Sequence, residues 1–310
     1  MRLVTYDAGR VGLVTTEVTD GTTRDLVHDV TDLLRLPDPE RPGAAMLALI
    51  EQWASVRVRV RDAASRPGVP IDQVRLQAPV PAPGKIPSAP SNYRKHIAEM
   101  GSTKTIADRG IFLKASSSVV GPADTVLLPY VDRRTDHEAE LAVVIGATAR
   151  HVSEDEALDH VFGYTCLLDV TVRGQEERSM RKSYDTFTPI GPWLVTADEI
   201  ADPDDLGVRC WVNGEVRQDG TTRDLVFSIR KLVALCSSVM TLQPGDVIAT
   251  GTPAGIGPIV DGDTLSIEID RIGRMDLPVS AAGATSCPFG PDNWTQPAKN
   301  PAQNLEGEAS

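Results

Sequence analysis

Between His137 and Gly146 the chain reads His-Glu-Ala-Glu-Leu-Ala-Val-Val-Ile-Gly, and no other stretch limits its fold so tightly. The apolar, β-branched content predicts a strand, and side chains two apart on a strand share a face. Glu138 and Glu140 therefore point the same way, with Ala139 on the opposite side. Neighbouring carboxylates repel unless something positive lies between them. A third acid, Asp169, interrupts the apolar run Tyr164-Thr165-Cys166-Leu167-Leu168, which resumes at Val170. An unpaired charge there would be costly. Three carboxylates on two neighbouring strands make an all-oxygen site for a hard divalent cation, Mg²⁺ or Mn²⁺.

Around these strands the chain divides into three stretches. Residues 1–80 read as a small N-terminal α+β domain, with strands over 2–6 and 12–16 and a helical stretch over 44–64. Met46, Leu47, Ile50 and Trp53 recur there at helical spacing and predict a packing stripe. The proline-rich residues 79–84 predict an extended connector. Residues 83–282 carry many short Val/Ile/Leu/Thr strands cut by Gly, Pro and Asp turns. Ser153 and Glu156 have capping-box spacing and predict a helix ending before Gly163; a second helix is expected over 225–235. Regular strand–helix alternation is missing, so the expected class is α+β, mostly β and antiparallel, rather than a doubly wound sheet. Residues 283–310 lose periodicity and read as a weakly structured C-terminal tail.

A formal net charge of -12 argues against nucleic acid or an anionic membrane as partner. Cys166, Cys210, Cys236 and Cys287 are widely spaced with no C-x-x-C, which suits neither a disulfide framework nor a zinc site and fits a reducing cytoplasm. No stretch reaches the length of a membrane span, and nothing at the N-terminus reads as a signal peptide.

An ordered set of motifs resembles the catalytic domain of the fumarylacetoacetate hydrolase family. The pieces are Pro83-Gly84-Lys85-Ile86, Asn92-Tyr93-Arg94-Lys95-His96, Phe112-Leu113-Lys114-Ala115-Ser116, Glu138-Ala139-Glu140-Leu141, Gly163-Tyr164-Thr165, Lys182-Ser183-Tyr184-Asp185, Val212-Asn213-Gly214-Glu215 and Gly245-Asp246-Val247-Ile248-Ala249-Thr250-Gly251-Thr252-Pro253. The resemblance implies a mixed β-sandwich or roll, a homodimer, and metal ligation by Glu138, Glu140 and Asp169. Leu168, Gly174 and residues 87–91 depart from the family's usual residues, which bears on substrate identity more than on metal binding.

Other site residues follow from spacing and from the resemblance together. His96 and Glu99 sit three apart on an expected short helix and share a face, so the carboxylate can orient the ring. Next to a metal such a dyad deprotonates water; in the resembled family it sits on a lid segment, which would include residues 101–110. The family pattern also places a lysine at Lys182, where its charge would stabilise an enolate, with Arg181 a competing candidate. Arg173, four residues after Asp169, would hold a substrate carboxylate or an ion pair with Glu138 or Glu140, with Gln175 adding a polar contact. The turn Thr250-Gly251-Thr252-Pro253-Ala254-Gly255 lacks the Gly-Lys-Ser/Thr ending of a phosphate-binding loop. It suits a small carboxylate, and by the resemblance Thr252 grips the 2-oxo acid end of the substrate. His28, His137, His151 and His160 read as structural or surface residues.

The expected activity is hydrolysis of a carbon–carbon bond in an acylpyruvate-like 1,3-diketo acid, with Mg²⁺ or Mn²⁺ as cofactor. The rivals are decarboxylation, isomerisation or dehydration of a 2-oxo acid at the same site, and non-catalytic binding of such an acid.

Overall fold

A computed structural model of the chain describes residues 1–36 and 38–290. The strand Ala139–Ile145 lies deep inside it and is buried at every position. Leu141, Val143 and Ile145 pack into one apolar cluster, while Ala142 and Val144 pack into another on the opposite face. A strand covered on both faces reads as a continuous apolar run instead of an alternating one. Its neighbours are the antiparallel strands Val161–Leu168 and Val247–Ala249, also fully buried.

These strands belong to a twelve-stranded sheet. A second, five-stranded sheet contains Gly207–Val212, Glu215–Thr221, Thr264–Ile269 and Gly273–Ser280. Val208, Cys210, Leu265 and Ile267 of that sheet share one core with Leu141, Val143, Tyr164 and Cys166. The result is the expected mixed, mostly β sandwich. Most pairings are antiparallel; Val247–Ala249 with Ile86–Ser88, Thr188–Thr196 with Val119–Val120 and Gly273–Ser280 with Val126–Leu127 are parallel.

The leading residues hydrogen-bond directly into this sheet. Arg2–Tyr6 pairs with Thr188–Thr196, Arg10–Thr19 follows, and a third strand, Thr22–Asp29, had no counterpart in the sequence reading. Its polar, exposed first half hid it. The helical stretch expected over 44–64 is broken into α1 (Ala44–Glu51) and α2 (Trp53–Asp62). At the break Gln52 turns its side chain to the backbone of Arg35, donating to its carbonyl (2.8 Å) and accepting from its N–H (3.2 Å). Met46, Ile50, Val56 and Val60 face the sheet from these helices.

Three further helices are short: α3 (Arg94–Glu99), α4 (Ile106–Arg109) and α5 (Arg178–Arg181). The last, α6, is Ile229–Val239 instead of 225–235, because Ser228 is the residue whose side chain caps it. The capping-box bonds of Ser153 and Glu156 form, but only the 3-10 turn Ala157–His160 follows before the chain enters the strand at Val161. Of the expected tail, Thr285 pairs with Pro129 and Val131, and the Cys287 N–H donates to Asp132. Residues 291–310 lie outside the described residues.

Candidate active site

Glu138 sits between the short strand Thr135–His137 and Ala139–Ile145, and Asp169 directly after Val161–Leu168. The antiparallel register sets them side by side, with the Asp169 N–H donating to the Glu138 carbonyl (2.8 Å). Glu140 follows two residues along the same face. Glu138, Glu140 and Asp169 are 5 %, 3 % and 1 % exposed, and one carboxylate oxygen from each falls within 4.8 Å of the others.

Three buried acids this close need positive charge, and the sheet supplies it unevenly. Lys182 Nζ donates to Glu138 Oε2, Asp169 Oδ2 and Thr171 Oγ1, each at 2.7 Å. Lys114 Nζ donates to Asp169 Oδ1 and to the Phe187 carbonyl. Arg173 bridges Asp136 (2.6 Å) and Glu138 (3.0 Å). Among the described residues Glu140 accepts a single hydrogen bond, from the N–H of Gly251 at 2.8 Å.

The pKa shifts follow this distribution. Burial acts to raise Glu138, but Lys182 and then Arg173 outweigh it and hold the carboxyl well below the usual range. Burial, reinforced by the charge of Asp169, pushes Glu140 well up. Lys182 resists burial because Asp169 and Glu138 face it, and its pKa rises. Lys114 is pushed down, chiefly by burial. An all-oxygen donor set whose least compensated member resists ionisation is suited to a divalent cation, which would supply the missing charge. The residues fit Mg²⁺ or Mn²⁺.

A cavity of about 120 Å³ opens beside Glu138 and Asp169. His96, Arg173, Lys182 and Thr252 line it as well. His96 is on α3, as expected, and its Nδ1 pairs with Glu99 Oε2 at 3.1 Å. The other oxygen of Glu99 accepts the N–H of Gly255 (2.9 Å), so the dyad is tied to the turn that carries Thr252. Thr252 Oγ1 donates to the Ala139 carbonyl (2.9 Å) and accepts from Gln218 Nε2 (2.7 Å).

Gln175 is exposed and is not among the cavity-lining residues. Arg173, two residues earlier, is buried against Asp136 and Glu138 and does line the cavity. Of the two readings for Arg173, the ion pair with Glu138 is present. Arg181 also lines the cavity, giving its N–H groups to the Glu176 and Val172 carbonyls.

Sequence reasoning gave no role to Lys114, Gln218 or Arg178. Lys114 stands before a serine-rich run and its partner is 55 residues away, so nothing local marks it. The other histidines do not line the cavity. His28 is buried between Thr15 Oγ1 and the Arg66 carbonyl, and His137 Nδ1 pairs with Gln218.

A β-sandwich that seats three buried carboxylates beside a lysine and a His–Glu dyad defines a class of metal enzyme. The chain belongs to the fumarylacetoacetate hydrolase family: the family model described as Fumarylacetoacetate (FAA) hydrolase C-terminal matches residues 85–280. It is 44% identical over 295 residues to maleylpyruvate hydrolase of Aquipseudomonas alcaligenes, covering 90% of this chain and 99% of that protein. Oxaloacetate tautomerase FAHD2A of Homo sapiens, a mitochondrial protein, is 40% identical over 250 residues (76% and 79% covered). Among solved structures, maleylpyruvate hydrolase from Sphingobium sp. SYK-6 in complex with manganese (II) ion and pyruvate superposes with a TM-score of 0.79. It is 42% identical, with 93% of this chain and 100% of that one covered.

Proposed function

We propose that this chain hydrolyses the carbon–carbon bond of an acylpyruvate of the maleylpyruvate kind, releasing pyruvate and a carboxylic acid. It is a metal-dependent hydrolase acting on carbon–carbon bonds in ketonic substances, with Mg²⁺ or Mn²⁺ as cofactor. One observation carries the reading: His96, paired with Glu99, lines a cavity together with two acids of the buried triad.

Glu138, Glu140 and Asp169 would hold the cation. Bound there, it supplies Lewis acidity to the 2-oxo acid end of the substrate. Glu99 fixes the His96 ring through Nδ1, and the ring's other nitrogen takes a proton from water as that water attacks the distal carbonyl. The bond between that carbonyl and the pyruvate methylene then breaks, and its electron pair leaves as an enolate that is protonated to pyruvate. Lys182, already fully charged between Glu138 and Asp169, stabilises that developing negative charge. Arg173 orients Glu138, and Thr252 supports the loop that meets the substrate carboxylate.

Turnover of maleylpyruvate, acetylpyruvate and oxaloacetate with Mn²⁺, with Mg²⁺ and after EDTA tests the reading. Acylpyruvate cleavage that stops on chelation is expected. Glu138→Gln is expected to abolish activity and weaken Mn²⁺ binding; full activity would remove the ligand assignment. The tautomerase relative favours a second reading, in which the same site enolises a 2-oxo acid without attack by water. His96→Ala separates the two: hydrolysis is expected to fall about 10²–10⁴-fold, whereas tautomerisation that survives alongside absent hydrolysis in the wild type favours the second.

We also propose a homodimer acting in the cytoplasm on a catabolic intermediate. The resemblance supports the dimer, to be checked by sedimentation equilibrium. Four buried cysteines without a disulfide suit the compartment.

A further inference from the structure

Most positive charge around the cavity is already matched, but two guanidiniums are an exception. Arg109 ends α4, and Arg178 begins α5; both line the cavity. Arg109 donates to Ser102 Oγ at 3.0 Å, and its Nε is buried with no hydrogen-bond partner. Neither arginine has a carboxylate within ion-pair distance among the described residues. Burial, and after it the charge of Arg109, holds Arg178 below the ordinary guanidinium range. Two like charges brought from separate elements to one half-buried site repel unless an anion joins them. Phe112 and Met100 add apolar wall to the same cavity, where a hydrocarbon linker would lie.

We infer that Arg109 and Arg178 clamp a second carboxylate at the far end of the substrate, so that the enzyme prefers dicarboxylic over monocarboxylic acylpyruvates. This rests on the hydrolase reading for the reaction, though the clamp can be judged by binding alone. The planar fork of each guanidinium suits a carboxylate acceptor. Arg109 belongs to the segment that follows the His96–Glu99 helix, so an anion drawn to it also draws that segment onto the site.

The test compares 2-oxoheptanedioate with 2-oxoheptanoate, which share a chelating head and chain length and differ in the distal carboxylate. Each is titrated calorimetrically into the Mn²⁺-loaded protein. The wild type is expected to bind the diacid at least about tenfold more tightly. Arg109→Gln and Arg178→Gln should each weaken the diacid about 10- to 100-fold, with monoacid binding and melting temperature unchanged. Equal weakening of both ligands, no diacid preference in the wild type, or no binding of either overturns the clamp. Intact diacid preference without acylpyruvate turnover would instead remove the hydrolase reading and leave the clamp standing.

Discussion

Glu140 is the carboxylate on which the charge balance of the triad turns. Its neighbours Glu138 and Asp169 are met by lysine or arginine, whereas Glu140 accepts one backbone N–H. Burial first, and then Asp169, raise its pKa. A carboxyl raised in the folded state favours its neutral form there, so its contribution to stability is present at low pH and lost as pH rises through the raised value. Ligation requires the anion, so Mn²⁺ binding is expected to expel a proton below that pKa and none above it. Calorimetry in buffers of different ionisation enthalpy measures this; an absence of proton release at every pH would contradict the triad. Lys114 offers a second check. Lys114→Met leaves Asp169 with Lys182 alone, and loss of a buried charged partner is expected to cost about 3 kcal/mol in urea unfolding. The acids were legible because ordered family motifs surround them; an E-x-E on a strand is by itself as well suited to a solvated face. Lys114 was not, because a lysine beside Ser116, Ser117 and Ser118 looks like any solvated side chain, and only the folded sheet brings Asp169 to it.

At the scale of elements, the turn after Val247–Ala249 joins the acidic strand to the dyad helix. Gly255 has φ +101°, and a Cβ placed on it would stand 1.9 Å from the Arg217 carbonyl oxygen. Gly255→Ala must therefore move the N–H that Glu99 holds. The expected outcome is a drop in kcat of about tenfold or more, with Mn²⁺ affinity little changed, since the proposed metal ligands lie on other strands. Gln218 fastens the same turn from the second sheet. Fully buried, it donates to Thr252 and the Pro253 carbonyl and accepts from the Ala139 N–H and His137. Gln218→Leu strands those groups and is expected to cost about 2–4 kcal/mol by denaturant titration. Element positions were readable where a local signal decides them, as in α3 after Asn92. They slipped where a distant contact decides them: Gln52 splits the first helical stretch because Arg35 is there to receive its amide. A full capping box at Ser153 yielded one 3-10 turn because the following residues enter a sheet.

For the whole molecule, the sheet extends without a break from the leading residues to the strands that carry the acidic triad. Leu3, Val11, Met46 and Leu49 share an apolar cluster with Ala142, Val144 and Leu167. Removing residues 1–80 would bare that cluster and the edge of Thr188–Thr196. The shortened chain is expected to aggregate, or to melt well below the full chain, in a scanning calorimeter. A stable, Mn²⁺-binding fragment would show that the two parts fold independently. Two of the N-terminal strands were readable as short segments, but nothing in their residues tells that Arg2–Tyr6 pairs with a strand nearly two hundred residues away. The burial of Ala139–Ile145 on both faces has a kinetic consequence. Its amides are expected to exchange with deuterium only through global opening, and the exposed ones among residues 94–110 sooner, as exchange followed by mass spectrometry would show. Isotope uptake would then arrive last at the backbone that carries Glu140, and early uptake there would show that this strand opens apart from the rest of the sheet.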